Sequence, residues 1–253
     1  MNNNKAAYNS KEVIDWYKNF TGLMPVERLV FGKLSDIMKN GRVLDIGIGA
    51  GRTTAELNEN CGKYIGIDYA ENLIEVARHN YPHLDLRCLT ASKMDVLSEA
   101  YFDLVNFSFN GLDYSGMEER QRILEEINRI LRPGGYFFFS THNRNAYNFN
   151  KSPWLDEKKS LWVNIKTFIK LLPHLPAHFE NRSQELIETE FAVINNCAHN
   201  YKLMTFHSAP AYVKKQLEKN NFTEIIFFDK LGNSINEDSD VEWIFVLCRK
   251  VIS

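Results

Sequence analysis

Apolar positions along this chain follow two rhythms that take turns. Short, mostly apolar runs occur at 42–46, 63–68, 84–89, 102–108 and 136–140. Three of them lead into helix-compatible segments at 51–60, 71–79 and 116–131, and in the last two apolar residues recur every three or four positions. The third run leads into 90–100, which has no clear period. In 116–131 the stripe is Ile123, Ile127, Ile130 and Leu131, and Ser115 with Glu118 forms an S-x-x-E capping box at its start. Leu131-Arg132-Pro133-Gly134-Gly135 breaks that helix, and Tyr136–Ser140 reads as a buried strand. Strands alternating with helices predict a doubly wound, mostly parallel sheet.

Both ends depart from the alternation. Ser10 opens a short helix at 10–20. Pro25 suits the first turn of a helix at 25–39, with Val26, Leu29, Val30, Leu34, Ile37 and Met38 at helical spacing until Asn40-Gly41 stops it. After a helix at 210–220, the runs 223–229 and 242–248 have only a polar loop between them, so they are expected to pair antiparallel. The whole is read as one α/β domain with a seven-stranded sheet. N-terminal helices occupy 1–40, a ligand-binding core 41–141, an insertion 142–208, and a helix with the antiparallel hairpin 209–253.

The insertion is rich in aromatic residues and histidine. Its stretch 157–172 is amphipathic, with Leu161, Trp162, Ile165, Phe168, Ile169 and Leu172 on one side. It is read as a lid over the carboxyl edge of the sheet. Lys158, Lys159, Lys166 and Lys170 leave a membrane-surface helix open as an alternative, and a homodimer interface is a third reading.

Composition narrows the field by exclusion. The 253 residues are 44% hydrophobic and 25% charged with a formal net charge of −2, so no overall basic field attracts nucleic acid. No apolar run nears the roughly 20 residues of a membrane span, and the polar start Met1–Lys5 is not expected to be a signal peptide. Cys61, Cys88, Cys197 and Cys248 form no C-x-x-C pair. Reduced thiols, a cytoplasmic setting and no metal site are expected.

The chemistry centres on Val43-Leu44-Asp45-Ile46-Gly47-Ile48-Gly49-Ala50-Gly51-Arg52-Thr53-Thr54. A strand enters a turn with glycine at alternate positions, where backbone takes positive φ or lies against a ligand, and a helix start offers free N–H groups. The spacing is not G-x-x-x-x-G-K-[ST], which excludes a phosphate loop. A dinucleotide site would need glycine where Arg52 stands.

This D-x-G-x-G-x-G pattern resembles the first motif of class I S-adenosylmethionine-dependent methyltransferases. The resemblance extends over roughly 40–140 and 208–253, with the Phe-Asp-Leu-Val opening of the fourth strand, the Leu-Arg-Pro-Gly-Gly break and the terminal hairpin. It implies a Rossmann-like methyltransferase fold and S-adenosylmethionine held by Asp45, Gly47, Gly49, Gly51, Arg52 and Thr53. Asp68 is expected at the ribose with Tyr69 beside it, Ala91, Ser92 and Met94 at the adenine, and Asn106 and Phe107 near the methionine end. Tyr8 and Tyr17 are candidates to close over the cofactor. Arg52 has a second reading, as partner for an anionic substrate. The adenine stretch Thr90–Met94 lacks the acid that the family usually offers.

Methyl transfer needs an aligned acceptor, exclusion of water and a base for a hydroxyl or amine. His142, Asp113 and His207 are the candidate catalytic residues, with Asn110, Tyr114, Asn143, His199 and Tyr201 as candidate substrate contacts. Asp113 can equally cap the turn before helix 116–131. No [N/D/S]-P-P-[Y/F] motif follows the fourth strand, which argues against a nucleic-acid substrate. The stretches 51–54, 107–111 and 139–143 look similar to a bacterial subgroup that accompanies sugar or surface-polysaccharide biosynthesis. That implies O- or N-methylation of a saccharide or related small molecule. Two alternatives stand beside it: a non-catalytic S-adenosylmethionine-binding scaffold, and an NAD-dependent oxidoreductase.

Overall fold

The computed structural model describes residues 22–252, the side chains of 198 and 199 excepted. The predicted helix at 10–20, with Tyr8 and Tyr17, lies outside the described residues. Strands β1 (Arg42–Ile46), β2 (Lys63–Asp68), β3 (Asp85–Cys88), β4 (Phe102–Phe107) and β5 (Leu131–Asn143) form a parallel sheet in the order β3-β2-β1-β4-β5. The order reverses direction at β1, which puts a crevice at the carboxyl ends of β1 and β4.

Side chains alternate across the sheet, and each face has its own core. Leu44, Ile46, Val105, Phe137 and Phe139 face α5 (Met117–Ile130) and α8 (Pro210–Lys219). Val43, Leu104, Phe138, Phe245 and Leu247 face α1 (Pro25–Lys33), α2 (Ser35–Lys39), α3 (Thr54–Glu59) and α4 (Glu71–Asn80). This is the both-sided burial that a parallel sheet requires.

Four local expectations are corrected. The single helix 25–39 is two, because the chain turns at Leu34 (φ −98°, ψ 7°), which lets Phe31, Leu34 and Met38 all reach the sheet. The capping box at Ser115 is absent. The N-cap of α5 is Gly116, without a side-chain cap, and the Ser115 N–H bonds instead to Leu112 O within the 3-10 turn Gly111–Tyr114. Pro133-Gly134-Gly135 does not separate α5 from the strand but forms an excursion within β5: Phe102 pairs with Leu131 and Leu104 with Tyr136. Helix 157–172 is shorter, α6 (Leu161–Leu171), begun by Ser160, whose hydroxyl accepts from Val163 N, and α7 (Leu175–Asn181) follows it.

The terminal hairpin pairs antiparallel as expected. Strand β10 (Trp243–Lys250) lies between β5 and β9 (Phe222–Phe228). The sheet is nonetheless wider than the seven strands predicted, with ten among the described residues. The insertion adds β6 (Leu186–Ile187), β7 (Phe191–Ile194) and β8 (Thr205–Ser208), mutually antiparallel. Strand β8 then pairs parallel with the end of β5, His207 opposite His142 and Ser208 opposite Asn143. Trp243 of β10 also pairs with His142, so β8 takes the edge of β5 beyond the end of β4. His142 is flanked on both sides as a result.

One ion pair lies inside this framework. Arg120 on α5 is fully buried, and its Nη1 donates to Asp113 Oδ1 at 2.9 Å. The same guanidinium reaches Leu112 O, Ser208 Oγ of β8 and Gln216 Oε1 of α8, and stacks over Phe206 at 4.8 Å. Removing one partner of a buried pair strands the other charge. Arg120→Leu is therefore expected to cost about 3–5 kcal/mol of stability. Arg122→Ala, which removes the exposed Arg122–Glu118 pair on the same helix, is expected to cost below about 0.5 kcal/mol. Urea-denaturation midpoints compare the two, and equal shifts would contradict this account.

Candidate functional site

Two cavities open at the carboxyl edge of the sheet. The first, about 790 Å³, lies over the turn after β1 and is walled by the segments that follow β2, β3 and β4. The turn takes its shape from glycine: Gly47 (φ +69°) and Gly49 (φ +57°) are left-handed, and a Cβ at Gly47 would press on the Phe107 ring at 3.1 Å. Gly47 N donates to Ile67 O, which anchors the turn on β2.

Asp68 closes the end of β2, with Oδ2 accepting from Gly49 N and Oδ1 from Ala70 N, both at 2.8 Å. Burial raises its carboxyl to about 6, against those two hydrogen bonds. Each oxygen keeps a lone pair for a further donor. Asp45 also lines the cavity, but Thr53 Oγ1, Tyr64 OH and Asn106 Nδ2 already donate to it at 2.6, 3.0 and 2.6 Å. Burial raises it likewise to about 6.

The remaining residues expected at the cofactor divide. Gly47, Gly49, Arg52, Thr53, Tyr69, Ala91 and Phe107 line the first cavity. Asn106 does not, because it is buried beneath Asp45 as its hydrogen-bond partner. Gly51 is turned away, its φ of +98° and the Tyr81 ring 2.6 Å from an added Cβ making it a packing glycine. Ser92 is drawn outward to Glu119 Oε1, and Met94 is wholly buried in the core. Arg52 is not available to an anionic substrate: it forms a two-pronged pair with the fully buried Glu27 of α1, at 2.6 and 2.7 Å. Tyr114, expected at the substrate, lies on the first cavity instead.

Leu73, Leu89, Ser108, Phe109 and Gly111 also line it and were not foreseen. Leu73 and Leu89 are indistinguishable from core leucines in sequence. Phe109 and Asn110 are both left-handed (φ 60° and 58°), a conformation costly for non-glycine residues and characteristic of functional loops. Asn110 is pinned there by its N–H to Ser140 Oγ at 2.8 Å.

The second cavity, about 1460 Å³, lies under the insertion. His142, His207, Asn143 and Tyr201 line it, with Trp154, Asn196, Glu242 and Trp243. Asn143 has a structural task as well, since its amide holds Ser239 O and Val241 O. His199 falls in the 3-10 turn Ala198–Tyr201, and its side chain is outside the described residues.

Between the cavities stands a thin wall. Phe109 meets Trp243 edge to face at 5.1 Å, and Asn110 Nδ2 lies 3.3 Å from His142 Nε2. Behind His142 lies Asp113, which is not an open base but a fully buried carboxylate. It accepts from His142 Nδ1 at 2.8 Å, His142 N at 2.7 Å, Thr141 Oγ1 and Arg120 Nη1. Burial alone would raise Asp113, but the His142 hydrogen bond and charge, then Arg120 and Thr141, hold it below the usual carboxylate range. With Asp113 ionised, His142 directs an Nδ1 proton to it, and its Nε2 faces Asn110 Nδ2 at the wall. His207 sits 4.9 Å from His142, ring to ring, and burial pushes it down to about 3, so it is neutral.

The donor set of the first cavity suits an unphosphorylated nucleoside. Asp68 is placed for hydroxyl donors, Leu73, Leu89 and Ala91 give an apolar slot, and Arg52, the only cation on the lining among the described residues, is held by Glu27. Among the described residues no group of three or more His, Cys, Asp or Glu is placed to hold a metal ion, and no helix is long and apolar enough to cross a membrane.

Comparison with known proteins agrees with that geometry. Residues 44–139 match the family profile described as a methyltransferase domain. A ubiquinone biosynthesis O-methyltransferase of Idiomarina loihiensis is 26% identical over 188 residues, covering 73% of this chain and 74% of that protein. A bifunctional biotin biosynthesis protein of Cellvibrio japonicus is 27% identical over 158 residues, 60% of this chain, and the chain spans only 30% of it. Among solved structures, a 1,6-didemethyltoxoflavin-N1-methyltransferase of Burkholderia thailandensis with bound S-adenosylhomocysteine aligns with a TM-score of 0.61 at 14% identity, covering 98% of this chain and 87% of that one. Residues 44–139 thus match a methyltransferase domain, on the fold shared by S-adenosylmethionine-dependent methyltransferases, and S-adenosylmethionine is the cofactor that this match supports.

Proposed function

We propose that this protein methylates a hydroxyl or amine of a small molecule held in the second cavity, with His142 as the base. The observation that carries this is the position of His142. Its Nδ1 is fixed by a buried, ionised Asp113, and its Nε2 faces the wall between the two cavities. When bound, S-adenosylmethionine supplies a methyl on a sulfonium, whose departure needs no acid. Asp68 would hold the ribose hydroxyls, the 47–49 turn the methionyl end, and Leu73, Leu89 and Ala91 the adenine.

The chain's own residues then have three tasks. His142 Nε2 takes the acceptor proton, and Asp113 neutralises the imidazolium that forms. His207 stays neutral beside it, so no second positive charge competes. Phe109, Trp243 and Phe149 surround the reacting edge with aromatic surface, which excludes water.

A small acceptor is supported by relatives named for ubiquinone O-methylation and toxoflavin N1-methylation. For its class we favour a saccharide or similar polyhydroxylated compound. Asn148, Asn196 and Glu242 stand around the flat faces of Trp154 and Trp243 with polar groups. We place the reaction in the cytoplasm and assign the lid role to the insertion.

Two outcomes test the reading. His142→Ala should lower kcat by about 10²–10⁴-fold, the usual contribution of a positioned base. Its affinity for S-adenosylhomocysteine should stay within about twofold, since His142 lines the other cavity. Release of S-adenosylhomocysteine against a panel of saccharides and phenols measures the first and titration calorimetry the second; unchanged turnover would remove His142 from the mechanism. The second outcome concerns pH. Asp68 accepts hydroxyl donors best when ionised, and its carboxyl titrates at about 6. Affinity for S-adenosylhomocysteine should therefore fall as pH drops through about 6, with proton release on binding near that pH. Asp68→Asn should bind at least about tenfold more weakly at pH 7.5, from the loss of a charge-assisted pair of hydrogen bonds. It should also show a flatter pH profile, the residue of which belongs to Asp45. A wild-type affinity independent of pH between 5 and 8 would contradict this role of Asp68.

A further inference from the structure

The insertion covers the second cavity but leaves its own helix uncovered. In α6, Leu171 is buried and Asn164 and Thr167 are half-buried, so this side faces the protein. At 3.6 residues per turn, Trp162 and Ile169 lie across the helix from it, with Ile165 beside them and Leu161 and Leu172 at the flank. Those residues are in solvent: Leu161 and Trp162 are each 73% exposed and Ile169 63%. Leu155 and Phe179, on the flanking segments, are 65% exposed. A contiguous apolar face of this size on a protein surface marks an interaction site.

Charge identifies the occupant. Lys166 and Lys170 are exposed along one border of the apolar arc, and α6 contains no acid. Residues 151–172 hold five lysines against two acids, a net +3 in a chain of net −2. Two copies meeting through this face would bring like charges together. An 11-residue helix is too short to cross a bilayer but suits its surface. An apolar arc with an interfacial tryptophan and a lysine border is the pattern of a helix lying in the headgroup region.

We propose that α6 is an interfacial anchor, which rests on a bilayer bearing anionic headgroups with Leu161, Trp162, Ile165, Ile169 and Leu172 in the acyl boundary and Lys166 and Lys170 among the headgroups. Residues 151–159, which wall the second cavity, run directly into α6. Docking therefore sets the mouth of that cavity at headgroup level. The anchor is independent of the acceptor's identity and of the role of His142.

Flotation of the full chain with phosphatidylcholine vesicles, with and without phosphatidylglycerol, tests the proposal. Wild type should float with the phosphatidylglycerol vesicles and show a blue-shifted tryptophan emission that Trp162→Phe loses. Ile169→Glu should abolish flotation while S-adenosylhomocysteine affinity, the check on folding, stays unchanged. The double variant K166Q/K170Q should partition about 30-fold more weakly, from about 1 kcal/mol per lysine near an anionic surface, and it serves if Ile169→Glu fails to fold. Absence of wild-type flotation overturns the proposal, as does flotation of K166Q/K170Q equal to wild type. A wild-type dimer that Ile169→Glu converts to monomer, without vesicle binding, assigns the face to a second copy instead.

Discussion

A carboxylate placed out of reach of water must be met by donors, and the functional edge of this protein is organised around one such group. Asp113 receives the Arg120 guanidinium, the Thr141 hydroxyl, and both the amide and the ring of His142. Those partners come from α5 and the end of β5, while Arg120 continues to Ser208 of β8 and Gln216 of α8. One buried charge thus joins the turn after β4 to the framework helices and to the strand contributed by the insertion. Such a pair adds little net stability over a well-packed apolar replacement. It does dictate which way the His142 ring points and which nitrogen carries the proton.

On the other side of the wall the arrangement is less costly. Two carboxylates, Asp45 and Asp68, hold the glycine turn from within, and both are raised to about 6 by burial. Asp45 is saturated by protein donors and acts on the loop. Asp68 spans the base of the turn and retains acceptor capacity toward the cavity. Arg52, the one cation among the described residues lining this cavity, is locked to Glu27 and so is not offered to a phosphate. Recognition of a nucleoside without phosphate follows from that pairing as much as from the glycines.

The insertion gives the fold its individual character. Its strand β8 extends the sheet beside β5 and delivers His207 to His142, while its preceding segment walls a roomy polar cavity with aromatic faces. Its helix α6 is amphipathic in a way that the other described residues do not satisfy. An insertion that walls a cavity while offering an apolar, lysine-bordered outer surface can serve both pocket and interface.

Much of this architecture was legible along the chain, since periodicity and turn residues act locally. The alternation of 2 and 3.6 places β1 to β5 and their helices, and glycine at 47 and 49 announces a turn that few other residues can make. The absence of a helix between 223–229 and 242–248 leaves only an antiparallel pairing. Local signals also mislead when a neighbour competes: the Ser115 amide goes to the 3-10 turn, Met94 to the core and Asn106 to Asp45. What no local pattern contains is the meeting of residues far apart. Glu27 with Arg52, Arg120 with Asp113, and β8 with the end of β5 are set by the packing of whole elements. The sequence by itself therefore determined the fold class and the nucleoside turn. Only the tertiary structure decided that Asp113 is buried behind His142, that His142 stands at the wall, and that α6 faces outward, because burial and pairing across the chain, not residue type, set those positions.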